Sequence, residues 1–371
     1  MRCLVVFLVL VVGLLTPWGA AQAQEPIRVG VIFSLSGPVA PLGQFGKAGL
    51  DLAQEEVKAA GGVNGHPLEL IVVNDESKPA QAVNLGLRLV NRDNAVALIG
   101  GSFGSTAQAL GAFAEKEKVP LVTPTGLVFD EQRQWKYTFF TLPNFNEVAK
   151  SMLAWAQKKG VKRVGLLRLS REYGQIGSRY LHDNAARYGV QIVAEEQGTD
   201  DGRDFTPQLS RLRDAKPDGL VVWFANPAGA TVIKNMRQLG MNVPVVAPLS
   251  MANRALVKSG GADVEGVVLE AQIAGGEPTQ RSKAFVASYI KKYNEEPGTL
   301  EAVGYDMVKM VAAALAKTPP PYTRDKIRDA LVGLNYAGAG TVVSYGPGNN
   351  EPSPETIVLV EVRNGQFVLA R

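Results

Sequence analysis

The chain has 371 residues, 39 Lys and Arg against 35 Asp and Glu for a net charge of +4, two histidines and one cysteine. Its cationic pairs, such as Lys158-Lys159 and Lys162-Arg163, are too short and scattered to form the basic stripe that nucleic-acid binding needs. A single cysteine and two separated histidines exclude a disulfide framework and argue against a zinc site, so no metal or cofactor is expected.

Arg2, the apolar run Leu4–Leu15 and Ala21-Gln22-Ala23 have the charge, length and small-residue cleavage site of a secretory signal. Residues 1–23 are read as that signal, with cleavage expected after Ala23. The run is shorter than the roughly 20 residues a membrane helix needs, and Cys3 would leave with it. No cysteine follows the expected cleavage site, which argues against a lipid anchor. The mature chain is expected to be soluble, periplasmic and monomeric. Its length, with no Pro- or Ser-rich linker, suggests two domains in intimate contact.

The next residues alternate strand and helix patterns: Ile27–Phe33, Gly43–Ala60, Leu68–Val73, Ala80–Asn91, Val96–Ile99, Thr106–Lys118 and Pro120–Thr123. This βαβ rhythm predicts a parallel, doubly wound α/β sheet. In Gly43–Ala60, Gly46, Gly49, Ala53 and Ala60 would let a helix lie close on the sheet, and Gly61-Gly62 would end it. After Tyr137–Leu142 the rhythm restarts: Asn146–Lys159, Arg163–Leu169, Gln175–Tyr188, Val190–Ala194, Thr206–Lys216, Gly219–Phe224, Ala228–Leu239 and Val243–Ala247.

A third section differs, with strand Val267–Ala271, helices Thr279–Tyr293, Leu300–Ala316 and Asp325–Leu331, and strand signals from Thr341 to Leu369. It cannot make a sheet of its own, so its helices are expected to pack back on the first two units. The chain would then cross between lobes at Thr141-Leu142-Pro143, at Gln272-Ile273-Ala274 and within Gly338–Pro347. Several crossings make a hinge with a cleft.

The loop Gly100-Gly101-Ser102-Phe103-Gly104-Ser105-Thr106 can be read in three ways. It fits the G-x-S-x-G nucleophile elbow of hydrolases. It also fits an anion cradle at a helix N-terminus, where Gly101 and Gly104 admit a ligand to the backbone and Ser102, Ser105 and Thr106 offer hydroxyls. A plain N-cap by Ser102 or Ser105 is the third. The elbow needs a histidine base, and His66 sits in a turn while His182 sits inside a helix of the second unit. Other enzyme signals fail: Gly43–Ala48 is a phosphate loop only superficially, because Pro41 takes the first glycine's place and Ala48 that of the metal-binding hydroxyl. No G-x-G-x-x-G follows the first strand.

Ile27–Val31 running into Ser36-Gly37-Pro38, Gly61–Gly65 before Asn74-Asp75, Ile99-Gly100 with its serine loop, and Val122-Thr123-Pro124 occur in this order. With Arg171-Glu172-Tyr173-Gly174, Asp204-Phe205 and Gly266-Val267, this series resembles the leucine/isoleucine/valine-binding proteins of ABC transporters over essentially the whole mature chain. The resemblance implies a type I periplasmic binding protein: two doubly wound parallel-sheet lobes joined by three hinge crossings, with a ligand between them and no chemistry. The lobes would be residues 24–141 with 273–342, and 142–272 with 343–371. The implied partners are a small carboxylate ligand and an ABC permease in the inner membrane. A ligand sensor of the same fold, feeding a membrane kinase or chemoreceptor, is the other reading.

By that resemblance the carboxylate would be held by Ser102, Gly104, Ser105, Thr125 and Gly126, with Ser36 a further ligand-binding residue; the ligand's apolar body would meet Phe103, Phe224 and Leu249, and Tyr173 would face the ligand. Phe224, Asn226, Leu249 and Ser250 follow strands and could line the opposite wall; the plain alternatives are a turn at Thr125-Gly126 and a surface tyrosine at 173. Three departures matter. Leu127 stands at a family threonine, Ala225 stands near the place of another family tyrosine, and Leu249 stands where amino-acid binders of the family carry an acid against the ligand's ammonium. Losing charge-assisted bonds of about 1.5–3 kcal/mol each would weaken amino-acid binding tenfold or more. An aliphatic or aromatic acid is therefore expected as ligand, unless Glu172 or Glu270 anchors an amine instead.

Overall fold

The computed structural model describes residues 24–102, 104–126 and 135–371; the expected leader, Phe103 and Leu127 lie outside the described residues. The first unit is β1 (Ile27–Phe33), α1 (Ala40–Ala59), β2 (Leu68–Asn74), α2 (Pro79–Asn91), β3 (Ala97–Gly100), α3 (Gly104–Glu117), β4 (Leu121–Thr123) and β5 (Thr138–Phe140). Its strands form one parallel sheet in the order β2-β1-β3-β4-β5. Val29, Val31 and Phe33 of β1 face one apolar cluster and Ile32 faces another under α2 and α3, so helices cover both sides of the sheet.

The second unit is α4 (Phe145–Lys158), β6 (Arg163–Leu169), α5 (Glu172–Ala185), β7 (Gln191–Gly198), α6 (Thr206–Asp214), β8 (Gly219–Trp223), α7 (Ala228–Gln238), β9 (Val245–Ala247), α8 (Arg254–Gly260) and β10 (Val268–Ala271). A single 3-10 turn, Leu249–Met251, joins β9 to α8. Neither that turn nor α8 was expected from the sequence. Strand β7 runs four residues past the expected Ala194, because Glu195 and Glu196 pair sideways with Arg168 and Arg211 instead of ending it.

The third section is α9 (Lys283–Tyr293), α10 (Thr299–Ala316), α11 (Arg324–Val332), β11 (Asn335–Ala337), β12 (Val342–Ser344), β13 (Val358–Arg363) and β14 (Gln366–Leu369). It divides between the two sheets. Val303, Met307 and Val311 of α10 and Ile327 and Leu331 of α11 enter the first sheet's cluster. β13 and β14 instead add antiparallel strands to the second sheet, whose order is β14-β13-β10-β9-β8-β6-β7. β11 and β12 form a separate hairpin. Val343 and Tyr345 are buried in the first cluster, so a lobe boundary at 342 would cut β12; the chain stays with the first sheet through Tyr345.

The small residues of α1 do a different task from the one expected. Gly46 does lie against Phe33 of β1, but a Cβ on Gly49 would sit 1.7 Å from the Glu301 carbonyl oxygen, and one on Gly304 1.9 Å from that of Gly46. The glycines therefore let α1 and α10 cross backbone to backbone. This crossing fixes the returning helices on the first sheet and leaves α10's N-terminus facing the second.

Where the chain passes between the layers, buried polar groups join the passages. Gln272 Nε2 donates to the Thr141 carbonyl at 2.9 Å, and Thr341 Oγ1 reaches the same carbonyl at 3.4 Å. Asp306 of α10 accepts the amide protons of Ala339, Gly340 and Thr341 at 2.7–2.8 Å. Each such bond contributes about 1 kcal/mol net, but an unpaired buried group would cost more, so these contacts fix where the passages run.

Candidate functional site

The carboxyl ends of both sheets meet the passages, and ligands of open α/β sheets bind outside such ends. On the first sheet, Ser102 Oγ accepts the Ser34 amide proton at 3.0 Å, and Ser34 Oγ donates to Asp75 Oδ1 at 2.6 Å. Asn74 holds the next loop: its Oδ1 accepts the amides of Leu35 at 2.9 Å and Ser36 at 3.3 Å, while its Nδ2 donates to Ser36 Oγ at 2.8 Å. Ser36 and Ser102 thus tie three strand ends together. Gly101, at φ +86°, makes the turn into α3, which starts at Gly104 with no acid in its first turn; Ser105 in that turn is exposed. Amide groups at such an end attract anions.

At the end of β4, Thr125 is buried. Gly126 is pressed on the first passage so closely that a Cβ would lie 1.8 Å from the Pro143 carbonyl oxygen. Thr123, which the sequence reading left out, is fully buried with its Oγ1 unpartnered.

The second wall is built on side chains. Ser250 donates its one hydroxyl proton to the Phe224 carbonyl at 2.6 Å, so Tyr173 is the donor in its 2.7 Å contact with Ser250 Oγ. The Tyr173 ring packs edge-on to Phe145 at 5.3 Å, with the Arg171 guanidinium 5.2 Å from its centre. Burial pushes its phenol far above the usual range. Asn226 Nδ2 donates to the Met251 carbonyl and to Asn253 Oδ1, both at 3.0 Å, which fixes its amide and leaves Oδ1 buried and unpartnered.

The Leu249 amide donates to Glu270 Oε2 at 3.0 Å, while its half-buried side chain packs against the first sheet's cluster. Glu270 is 0 % exposed, and Oε1 has no partner. Burial pushes this carboxyl up to about 7, with the Leu249 amide opposing.

A family model described as periplasmic binding protein matches residues 26–366. The chain belongs to that family. A leucine-, isoleucine-, valine-, threonine- and alanine-binding protein of Pseudomonas aeruginosa is 24% identical over 84% of this chain and 83% of its own. The Leu/Ile/Val-binding protein of Escherichia coli is 22% identical over 80% and 81%. Among solved structures, the substrate-binding protein LivJ of Streptococcus pneumoniae in complex with isoleucine superposes with a TM-score of 0.83 at 24% identity, over 92% of this chain and 97% of that one. The leucine-binding protein LivK of Thermotoga maritima gives 0.81 at 24%, over 93% and 98%. The fold is that of the family's type I members.

Within this family fold, the structure brings Ser36 and Ser102 together on one side and Tyr173, Asn226, Leu249 and Ser250 on the other. Phe224 is a correction: β8 stops at Trp223, and the Phe224 ring turns into the core against Phe205 at 5.3 Å, 0 % exposed, so only its carbonyl serves the wall. Of the two acids considered for an amine, Glu172 is exposed on the first turn of α5 and Glu270 is buried beside Leu249. The elbow reading of Ser102 finds its histidines occupied elsewhere, His66 with the Glu25 carbonyl at 2.9 Å and His182 with Glu195 at 2.8 Å.

Sequence reasoning also missed Arg254. From α8 it reaches Glu295 and, at 3.4 Å, the buried Glu301 of α10, and it lies 5.8 Å from the Phe45 ring of α1. Arg254, Glu301 and Phe45 border a cavity of about 370 Å³ between elements of the two layers. The signal was Asn253, an N-cap that accepts the Ala255 amide proton and starts α8 with Arg254 at its first position.

Proposed function

We propose that this protein is the periplasmic substrate-binding component of an ABC importer of the branched-chain amino-acid type. It captures a small carboxylate with an apolar body between two lobes and presents the closed shape to an inner-membrane permease. The lobes are the two sheets with their helices, the first taking residues 24–141 and 273 to about 345, the second the remainder. The contact of Leu249 with the first sheet's cluster carries the reading, since one side chain of the second wall already reaches the first.

The ligand's carboxylate lies at the start of α3, with Ser102, Gly104, Ser105, Thr125 and Gly126 around it. Its body takes the space against Leu249 and Tyr173. Contacts made to both walls at once supply the differential affinity that shifts the hinge toward closure. The relatives' named ligands and the matched family support this class. Thermal shift with L-leucine, L-valine, L-phenylalanine and their deaminated acids tests it, because a ligand at 100 times its Kd adds about 2.7 kcal/mol of stability. No shift with any of the six would overturn it.

A further inference from the structure

Both walls leave buried oxygens unbonded: Asp75 Oδ2 and Thr123 Oγ1 at the first sheet's strand ends, Glu270 Oε1 and Asn226 Oδ1 on the second wall. On the second wall Glu270 Oε1 and Asn226 Oδ1 are unpartnered acceptors, and the Tyr173 proton is already given to Ser250, which leaves its oxygen able only to accept; Trp223 Nε1, in the ring stack behind Tyr173, is an unpartnered donor. A wall of acceptors suits a ligand end that donates. The first wall adds donors to its own spare oxygens, since a helix start offers amide protons.

The position of Glu270 adds to this. Parallel register sets Val268 beside Val246 and Leu269 beside Ala247, so Glu270 stands next to Pro248, one residue before the turn that carries Leu249 and Ser250. It is the one charged residue of β10, whose other residues Val268, Leu269 and Ala271 are buried and apolar. Burying a carboxylate with one of its two oxygens unpaired is costly. A cationic nitrogen is the partner that would offset the cost. The Leu249–Met251 turn covers Glu270, tied to it by one amide; a ligand body that displaces the Leu249 side chain from between the walls opens the carboxyl to its other end.

We propose that Glu270 reads an amine on the ligand, so that the captured carboxylate is an amino acid whose ammonium is held from β10 rather than from position 249. The inference rests on the cleft reading above and deepens it. It also reverses the expectation drawn from Leu249: the carboxylate missing there is supplied one strand over. On this assignment the spare lone pair of Tyr173, whose own proton goes to Ser250, accepts a second proton of the same ammonium.

Calorimetric titration of the full mature protein tests this, using L-leucine, L-valine and L-phenylalanine, each beside its deaminated acid. Wild type is expected to bind at least one amino acid tenfold or more tighter than the matching acid. Glu270→Gln should reduce that preference to within threefold, with the acid's affinity little changed. Adding Leu249→Asp to that variant should restore the preference by returning a carboxylate to the wall, a rescue that a merely structural role of Glu270 would not give. Equal affinity of wild type for amino acid and acid, or binding of the acids alone, overturns the amine assignment and leaves the cleft reading standing. An undiminished preference in a folded Glu270→Gln protein overturns it too. Binding of none of the six overturns the cleft reading and this inference with it.

Discussion

The two walls of the cleft are made of different material. The first is backbone held by small polar side chains: Ser34, Ser36, Ser102, Asn74 and Asp75 bond one another beside the start of α3, with Asp75 Oδ2 left unpartnered. The second is a chain of side chains, from Tyr173 through Ser250 to Phe224 and from Leu249 to Glu270, with acceptors left over. A backbone wall changes little when side chains change, so it suits the constant part of a ligand. A side-chain wall can be rewritten by one substitution, and it suits the part that differs between ligands.

The largest effect that separates the walls is a pH dependence of the second alone. Because burial raises Glu270 from 4.5 to about 7, the folded protein holds that proton more tightly than the unfolded chain. Its contribution to stability is present in full below the unfolded value and is lost as pH rises through about 7, a change of about 3 kcal/mol. Urea melts between pH 5 and pH 8 should show it, and Glu270→Gln should flatten the slope. An equal slope in the variant would mean that the carboxyl is paired.

Next comes a change in the first wall. Gly126→Ala drives a Cβ into the Pro143 carbonyl and should cost about 2 kcal/mol of stability and weaken every ligand alike. Gly346→Ala, where a Cβ meets nothing within 4 Å, should stay within about 0.5 kcal/mol. If Gly126→Ala altered the preference between amino acid and acid instead, the division between constant and variable walls would fail.

Smaller is Tyr173→Phe, which removes one hydrogen bond to Ser250 and should cost about 1 kcal/mol by chemical denaturation. The smallest is Arg254→Ala at the rim. Its bond to the exposed Glu295 is worth little, so the loss should stay below about 1 kcal/mol and shrink with added salt. A larger, salt-independent loss would make Arg254 part of the walls rather than a tie across their edge.

The order of strands and helices was legible because each strand of a parallel sheet is a short apolar run and each helix an amphipathic one. Tyr173 and Ser250 were legible as residues at strand ends. The α1–α10 crossing was not: glycine spacing reads the same whether the helix faces a sheet or another helix, and Gly49 meets a residue 252 positions away. The α8 helix escaped because seven residues carry little periodicity. Phe224 was misread because an aromatic at the end of a strand pattern points either into the core or out of it, and the backbone turn after Trp223 decides. Glu270 had a visible signal in Val267-Val268-Leu269-Glu270-Ala271, one acid in a buried parallel strand, but its closeness to Leu249 comes only from the pairing of β9 with β10.

Closure of the two walls over one ligand is open to direct measurement. With spin labels at Lys78→Cys on the first layer and Arg203→Cys on the second, both exposed, in a protein freed of its single Cys3, pulsed dipolar spectroscopy reports the distance across the cleft. A saturating amino acid that calorimetry shows to bind should shift that distribution to a shorter, narrower one. A distribution unchanged at full occupancy would contradict the account.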